Sequence, residues 1–379
     1  MNRREFIQAL GVSSLMVAAG CNPTELSRTL TDVGQLAGGQ VTGELLDLIP
    51  STGLAPLDKM VREQLQTLAQ RLLKEWGDEK VASRKEYVKY TDEYLSRAII
   101  NFESGQIRVE TLDPDNPAAK LKTAIISTLL TPEDPAKVDL LSDQPVAADG
   151  DPFLVDVVRD HRNQPVRQQA QADRYADHLM QTAYRTDSYN RRPRHFVTFA
   201  MIREHQAGQQ RRYEREVIIQ ARRFNLDRAL IYAIIETESS FNPYAISPVP
   251  AYGLMQIVPE TAGRDAYELL HNRKGTPTKD YLFVPANNIQ MGAAYLSILA
   301  ERYLARVLDP QAREYCMIAG YNCGSGNVLK AFDRNRDRAF DKINRQASRH
   351  VYDHLVRHLP HQETRGYIQK VLELKPKYV

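Results

Sequence analysis

The chain has 379 residues, of which 42% are hydrophobic and 26% charged, and its formal net charge is +3. This length allows about two domains, and the ordinary hydrophobic fraction excludes wholesale disorder and collagen-like structure. The nearly balanced charge does not indicate a strongly basic nucleic-acid binder. Three cysteines cannot build a disulfide framework, and no apolar run reaches the roughly 18 residues of a transmembrane helix.

Residues 1–20 are typical of an export signal. Arg3 and Arg4 form a charged head, and the short apolar run Ala9–Ala19 follows. A charged head, a short apolar core and small residues before a boundary indicate export rather than a membrane span. The arginine pair followed by Phe6 is similar to the twin-arginine export motif, although ordinary export signals also carry adjacent arginines.

Cys21 resembles the modified cysteine of bacterial lipoproteins. Small residues precede it, although Ala18 stands where that family usually has Leu. The resemblance implies a lipid-carrying (palmitate-containing) N-terminus, and Asn22, which is not Asp, implies the periplasmic face of the outer membrane. Residues 21–55 would then form a tether to the membrane. An ordinary cleaved signal that leaves a free cysteine is the alternative.

Residues 56–205 are predicted to form an α+β domain. The strongest strand signal is a hairpin with Ser104-Gly105 as its turn. Apolar residues alternate there with Arg108 and Glu110, which predicts that one face of the hairpin is exposed to water. The predicted elements are a helix from Val61 to a stop at Gly77, strands at Ala98–Phe102 and Ile107–Leu112, a helix at Ala118–Leu130, helical structure around Tyr175–Met180 and a strand at Phe196–Ile202.

Residues 210–379 are predicted to form a second, mostly α domain. Asp227 is placed as the N-cap of a helix Arg228–Ser239, and Asp309-Pro310 is a strong start signal for a later helix. The expected fold class is therefore an α+β domain followed by a mostly α domain. The other expected helices cover Tyr213–Asn225, Asn288–Arg306, the segment after Gly326 and Thr364–Leu374.

Arginines are dense, and lysines absent, between Arg185 and Arg228. One interpretation is a surface for an anionic partner such as phospholipid or cell-wall polymer. The alternative, which the interspersed carboxylates favour, is a solvated face.

Glu238 is the residue for which the sequence indicates chemistry. An apolar helical stretch leads into it, and Phe241 and Pro243 end the helix. A carboxyl group in this place is expected to be partly desolvated and near the negative end of the helix dipole. Both effects raise a carboxyl pKa, which suits a general acid at neutral pH. An exposed helix-terminal Glu is the common alternative.

Four short motifs occur in order between Glu238 and Tyr367. Together they resemble the motif set of lytic murein transglycosylases, whose catalytic domain has a goose-type-lysozyme-like fold. The N-terminal part, including Tyr87–Asp92, resembles the membrane-bound C type of that family. Departures are conservative, with Gly320 where Ala is usual and Val258 where Met is common. The motifs are Glu238-Ser239-x-Phe241-Asn242-Pro243, Gly253-Leu254-Met255-Gln256, Tyr321-Asn322-x-Gly324-x-Gly326 and Glu363-Thr364-Arg365-x-Tyr367.

The resemblance implies that Glu238 protonates the glycosidic oxygen between N-acetylmuramic acid and N-acetylglucosamine and then acts as base. Glu236 would point to another helix face, so no second catalytic carboxylate is evident. The resemblance implies instead that the substrate N-acetyl group assists and that the muramoyl C6 hydroxyl closes a 1,6-anhydro ring. It assigns substrate contacts, without metal or other cofactor, to Ser247, Met255, Gln256, Tyr321, Asn322 and Tyr367.

Structural roles stay open for four of these residues. Ser247 could cap a turn, and Gln256 could support its loop. Asn322 could be a left-handed turn residue beside Gly324, and Tyr321 could simply pack.

Two other functions also stay open. A lysozyme-type hydrolase on the same fold would give a product one water heavier than the anhydro product. A non-enzymatic lipoprotein would bind peptidoglycan without cleaving it, although an intact Glu238 argues against this. Peptidoglycan and a membrane are the expected partners, and nucleic acid is not.

Two residue series need separate interpretation. His350, His354 and His358 are four apart, a spacing that can bind zinc on a helix, but a surface helix without metal is favoured, as for His361. Cys316 and Cys323 would be about 10 Å apart if both were helical, too far for a disulfide. The second is expected just past the helix, so free thiols are favoured and a bridge stays open.

Overall fold

The computed structural model describes residues 72–78, 80–140, 142–247 and 251–379. They form two compact units. The first contains the described residues up to Gln209 together with those of Asn242–Tyr252, and the second contains Gln210–Phe241 and Gly253–Val379. No helix within these ranges is long and apolar enough to cross a membrane. The predicted export signal, Cys21 and the tether lie outside the described residues.

The first unit is built on a five-stranded antiparallel sheet with strand order β1-β2-β3-β5-β4. Apolar side chains alternate along its central strands, so that Val109 lies opposite Val197 and Ile107 opposite Phe199. Helix α1 packs on β2, β3 and β5. The elements are β1 Glu86–Thr91, β2 Ser96–Asn101, β3 Gln106–Thr111, α1 Pro117–Leu129, α2 Gln169–Thr182, β4 Arg185–Tyr189 and β5 Arg192–Ala200.

The predicted hairpin is present as β2 and β3, but the prediction that one of its faces is exposed is wrong. Glu110 is completely buried and accepts hydrogen bonds from Arg97 and Arg108 at 2.5 and 2.6 Å. The helical residues 72–76 cover this face, because Trp76 packs into a buried cluster with strand residues and lies 4.0 Å below the Arg97 guanidinium. The alternation of apolar and polar residues correctly predicts which side chains share a face of the hairpin. It does not indicate which other part of the chain covers that face.

Several arginines of the dense stretch are held by carboxylates. Arg194 pairs with Asp187 at 2.6 Å and with Glu110 at 3.4 Å, and Arg192 pairs with Glu75. These ion pairs support the interpretation in which nearby acids compensate the arginines.

The second unit is helical, and the predicted fold class is confirmed. Asp227 caps α5 by accepting from the Ala229 amide at 2.8 Å, and Asp309 caps α9 through the Ala312 amide at 2.7 Å. The helices are α3 His205–Arg212, which spans the boundary between the units, α4 Glu214–Arg223, α5 Arg228–Ser239, α6 Arg264–His271, α7 Lys279–Phe283, α8 Pro285–Ile298, α9 Pro310–Cys323, α10 Ser325–Phe332, α11 Arg336–Asn344, α12 Ser348–His358 and α13 Gln362–Leu374.

The expected position of Cys323 is wrong. It is the last residue of α9 rather than a residue beyond it, so both thiols lie on one helix, two turns apart. Both cysteines are free, and burial raises the pKa of Cys316 to about 12 and that of Cys323 to about 11. Such thiols are protonated and unreactive near neutral pH.

Candidate active site

Glu238 lies one residue before the end of α5, a helix whose residues from Ala229 to Ser239 are all buried. Its own exposed fraction is 6%. Ser240 and Phe241 then adopt φ values of 50° and 64°. Two successive non-glycine residues in the left-handed region are uncommon, and such backbone strain clusters at functional sites.

Ser239 connects the end of α5 to the loop Gly253–Gln256. Its side chain is fully buried, and its hydroxyl lies 3.0 Å from the Ile235 carbonyl and 2.8 Å from the Leu254 carbonyl. The residue next to Glu238 therefore fixes the helix end against the second motif.

Gly253 and Asn288 shape that loop. A Cβ at Gly253, whose φ is +73°, would lie 2.5 Å from Asn288 Nδ2 and 2.7 Å from the Leu282 carbonyl. Asn288 donates to the Leu282 carbonyl at 2.7 Å and accepts from the Met255 amide at 2.7 Å. The buried Asn288 side chain thus holds the loop backbone, and only glycine fits at its start.

Met255 and Gln256 follow in the same loop. The Met255 side chain is completely buried, and a Cβ at Gly292 would collide with its sulfur. Gln256 is 8% exposed, has a φ of 47°, and donates through Nε2 to the Gly253 carbonyl at 3.0 Å. Gln256 therefore supports its own loop, which is the structural role that the sequence left open for it.

Tyr321 is hydrogen-bonded to this loop and lies within the electrostatic influence of Glu238. Its hydroxyl donates to the Met255 carbonyl at 2.8 Å. Burial raises the pKa of Tyr321 well above its usual value, and the nearby charge of Glu238 raises it further. The phenol therefore remains a neutral hydrogen-bond donor beside Glu238.

The third and fourth motifs meet at Asn322 and Thr364. The Thr364 hydroxyl, on α13, donates to Asn322 Oδ1 at 2.6 Å. Tyr367 lies almost one turn further along α13 and is 6% exposed. Helix α13, which carries the fourth motif, therefore packs on both α5 and α9, where the first and third motifs lie.

Ser247 belongs to a segment that folds with the first unit. Its amide donates to the Ala251 carbonyl at 3.2 Å. Asn242 donates to the Arg84 carbonyl at 3.2 Å, and the Tyr244 hydroxyl donates to the Pro132 carbonyl. The other six predicted site residues lie in the second unit.

Three supporting residues were not singled out from the sequence: Ser239, Asn288 and Thr364. Each is a small polar residue, at most 1% exposed. Ser239 and Thr364 lie within the quoted motifs, and Asn288 lies in α8, between the second and the third. A buried polar side chain needs a hydrogen-bond partner. A polar residue within an apolar helical stretch was therefore the sequence signal that could have identified these supporting residues.

Of the histidine series on α12, His354 packs against the neighbouring α10. The His354 ring stacks on Phe332 at 4.3 Å, and its Nε2 lies 2.9 Å from the Ala331 carbonyl. Within the described part of the chain, no group of three His, Cys, Asp or Glu could hold a metal ion.

The chain is similar to known proteins over both of its units. Residues 54–213 match the family model of the membrane-bound lytic murein transglycosylase C N-terminal domain, and residues 216–344 match the transglycosylase SLT domain. The membrane-bound lytic murein transglycosylase C of Sodalis glossinidius is 42% identical over 80% of this chain and 85% of its own. That of Cronobacter sakazakii is 41% identical over 78% of this chain and 83% of its own.

Among solved structures, an inactive mutant of the lytic transglycosylase Slt from Pseudomonas aeruginosa is similar. It is 29% identical over 44% of this chain and 24% of its own, with a TM-score of 0.34.

The fold, the motif geometry and the matched domains define a lytic murein transglycosylase, an enzyme that acts on peptidoglycan. More narrowly, the chain belongs to the membrane-bound lytic murein transglycosylase C family. The predicted family is confirmed, and a non-enzymatic wall-binding role is wrong.

Proposed function

We propose that the protein cleaves the β-1,4 bond between N-acetylmuramic acid and N-acetylglucosamine without water, with Glu238 as acid and then base. The observation that carries this is the placement of Glu238, a carboxyl group only 6% exposed, at the C-terminal end of α5 beside the phenol of Tyr321. A carboxyl group shielded from water at this place can give a proton to a bound glycan and take one back.

The nearest acidic residue on the helix is engaged elsewhere. Glu236 accepts hydrogen bonds from Lys377 and Tyr378. A two-carboxylate mechanism with Glu236 as nucleophile or base therefore has no support.

The reaction then needs one protein carboxyl group and the substrate. Glu238 gives its proton to the glycosidic oxygen as the bond from that oxygen to muramoyl C1 breaks, and the oxygen of the muramoyl N-acetyl group bonds to C1. The Glu238 carboxylate next takes the proton of the C6 hydroxyl, O6 attacks C1, and the bond to the acetyl oxygen breaks. The 1,6-anhydro ring is closed, the N-acetyl group is restored and Glu238 is protonated again.

The other motif residues bind and orient the glycan. Gln256 and Asn322 offer amide groups for sugar hydroxyl and N-acetyl groups, and Tyr367 and Ser247 offer hydroxyls. Met255 contributes through its backbone, because its carbonyl holds the Tyr321 hydroxyl in place.

Product mass tests the mechanism. Purified sacculi digested by the full chain should release muropeptides whose reducing ends are one water lighter than hydrolytic products. Glu238→Gln should lower the rate by at least about 10³-fold. The matched control is Glu260→Gln, an exposed residue that pairs with Arg264 on the surface, and it should keep the wild-type rate. Hydrolytic products, or an active Glu238→Gln protein, would contradict the proposal.

A second part of the proposal concerns Cys21 as a lipid anchor on the periplasmic face of the outer membrane. Its support is the resemblance of Cys21 and the small residues before it to bacterial lipoproteins, together with the words "membrane-bound" in the names of the relatives. Cells grown with labelled palmitate should label the wild-type chain and a Cys323→Ser control. They should not label Cys21→Ala, which should leave the outer-membrane fraction. A labelled Cys21→Ala protein would contradict this assignment.

A further inference from the structure

The end of the chain lies along α5, the helix that carries Glu238. Residues Lys375–Tyr378 form a short 3₁₀ turn that packs on α5 and is called here the C-terminal strap. Lys375 Nζ lies 3.0 Å from the carboxylate of Asp227, the N-cap of α5, and 2.9 Å from that of Glu314. One end of the strap is therefore fixed to the beginning of the helix.

The other end of the strap is bound to the last turns of α5 through the carboxylate of Glu236. Lys377 Nζ lies 2.8 and 3.1 Å from the two Glu236 carboxylate oxygens, and the Tyr378 hydroxyl donates to the same carboxylate. Glu236 is only 5% exposed, and a buried carboxylate requires such partners. Burial raises the pKa of Tyr378 and the bond to Glu236 raises it further, so its phenol stays a donor.

Tyr378 also packs against the residues on either side of Glu238. Its ring stacks on Tyr232, one turn before Glu236, at 5.1 Å. It meets Phe241 edge-on at 6.3 Å. Phe241 is one of the two positive-φ residues that end α5, so the strap supports the strained turn that directly follows Glu238.

We propose that the C-terminal strap positions Glu238 for catalysis, with Lys377 and Tyr378 as positioning residues that act through Glu236 and Phe241. The proposal rests on the catalytic role assigned above to Glu238. The strap contacts α5 at three places: at its N-cap Asp227, at Glu236 and at Phe241 in the strained turn that follows the helix. A strained helix end holds one conformation only when its surroundings over-determine it, and small displacements of a catalytic group cost rate rather than binding.

Steady-state kinetics of the full chain on soluble glycan fragments tests the proposal. Lys377→Met should lower kcat about tenfold while KM stays within about twofold, because a misplaced acid affects the chemical step. Lys377→Arg should restore most of kcat. The control is Lys342→Met, which breaks a lysine–carboxylate pair of similar length, 2.9 Å, between an exposed lysine of α11 and Asp333. Wild-type kcat in Lys377→Met would overturn the proposal.

A double variant separates positioning from stability. Lys377→Met alone leaves the buried Glu236 carboxylate without its cation and with the Tyr378 hydroxyl as its remaining partner, so it should also lower the melting temperature. Glu236→Gln with Lys377→Met removes both charges and should recover the melting temperature, but kcat should stay low because the contact between Lys377 and the last turns of α5 is lost. Recovery of kcat together with stability would show a merely structural pair and overturn the proposal. An active Glu238→Gln protein would instead refute the catalytic role of Glu238, whatever the strap variants do.

Discussion

The sheet of the first unit and helix α5 of the second each bury a glutamate, but the two glutamates have different surroundings. Glu110 is completely buried with the guanidinium groups of Arg97, Arg108 and Arg194 around it. Glu238 is 6% exposed beside the neutral phenol of Tyr321. Burial of a carboxyl group therefore does not identify a catalytic residue. Three guanidinium groups make Glu110 a structural carboxylate, whereas the role proposed for Glu238 rests on its position at the end of α5 within the first motif.

The largest expected effect on stability is that of Glu110→Gln. It leaves the buried Arg97 and two further guanidinium groups without their shared carboxylate, which should cost about 3–5 kcal/mol of unfolding free energy. Urea unfolding measures this loss, and the kcat of the folded protein should not change. Asp151→Asn is the control, because it breaks an exposed pair with Arg167 and should cost less than about 1 kcal/mol. A Glu110→Gln protein as stable as wild type would refute the structural role of Glu110.

The sequence predicted the centre of this sheet better than its edges. The hairpin and β5 have clear apolar alternation. Strand β4 was missed, because four of its five residues are exposed and only the pairing with β5 defines it. Strand β1 was missed because Lys89 interrupts its apolar pattern, yet that lysine is buried and donates to the Ser142 carbonyl. Both errors concern tertiary contacts that local periodicity does not encode.

The next largest effect should come from Gly253→Ala. Its Cβ would meet Asn288 and the Leu282 carbonyl in a left-handed backbone conformation, which should cost on the order of 1–3 kcal/mol. Because the same loop carries Met255 and Gln256, activity should fall more steeply than stability. Gly366→Ala is the control: it lies inside α13, nothing lies within 4 Å of its Cβ, and it should be neutral or stabilising by roughly 0.5–1 kcal/mol. Thermal unfolding measures the loss of stability, and muropeptide release measures the loss of activity. Gly253→Ala with wild-type stability and activity would contradict the prediction.

For the candidate site, the motifs predicted the helix end at Glu238, and the structure adds how it is held. Ser239, Asn288 and Thr364 act through hydrogen bonds between segments far apart in the chain. The anchoring of the Ser247 segment in the first unit depends on Asn242 and Tyr244. These partners are distant in the sequence and meet only in the tertiary structure, so the spacing of residues alone could not reveal them.

A smaller effect on stability is expected for Thr364→Val, which keeps the shape of the side chain and removes its bond to Asn322. The loss of one hydrogen bond should cost about 1–2 kcal/mol, but kcat/KM should fall about tenfold because Asn322 loses its orientation. Thr364→Ser retains the hydroxyl and should stay close to wild type. Equal activity of the Thr364→Val and Thr364→Ser proteins would mean that this hydrogen bond does not orient the site. The distinction between a structural network in the sheet and a functional network at the site would then lose support.

The smallest expected effect concerns the pH dependence of the charged sheet face. Burial alone would raise the pKa of Asp78, but hydrogen bonds from Arg97 and Tyr189 hold the pKa below its ordinary value. A pKa that is lower in the folded than in the unfolded state, where it is about 3.9, adds stability above that value and loses it as pH falls through the folded pKa. Wild type should therefore lose more stability than Asp78→Asn between about pH 5 and pH 2. Urea unfolding at several pH values measures this difference, and parallel curves for the two proteins would mean that Asp78 is not held as a carboxylate by the network around Arg97.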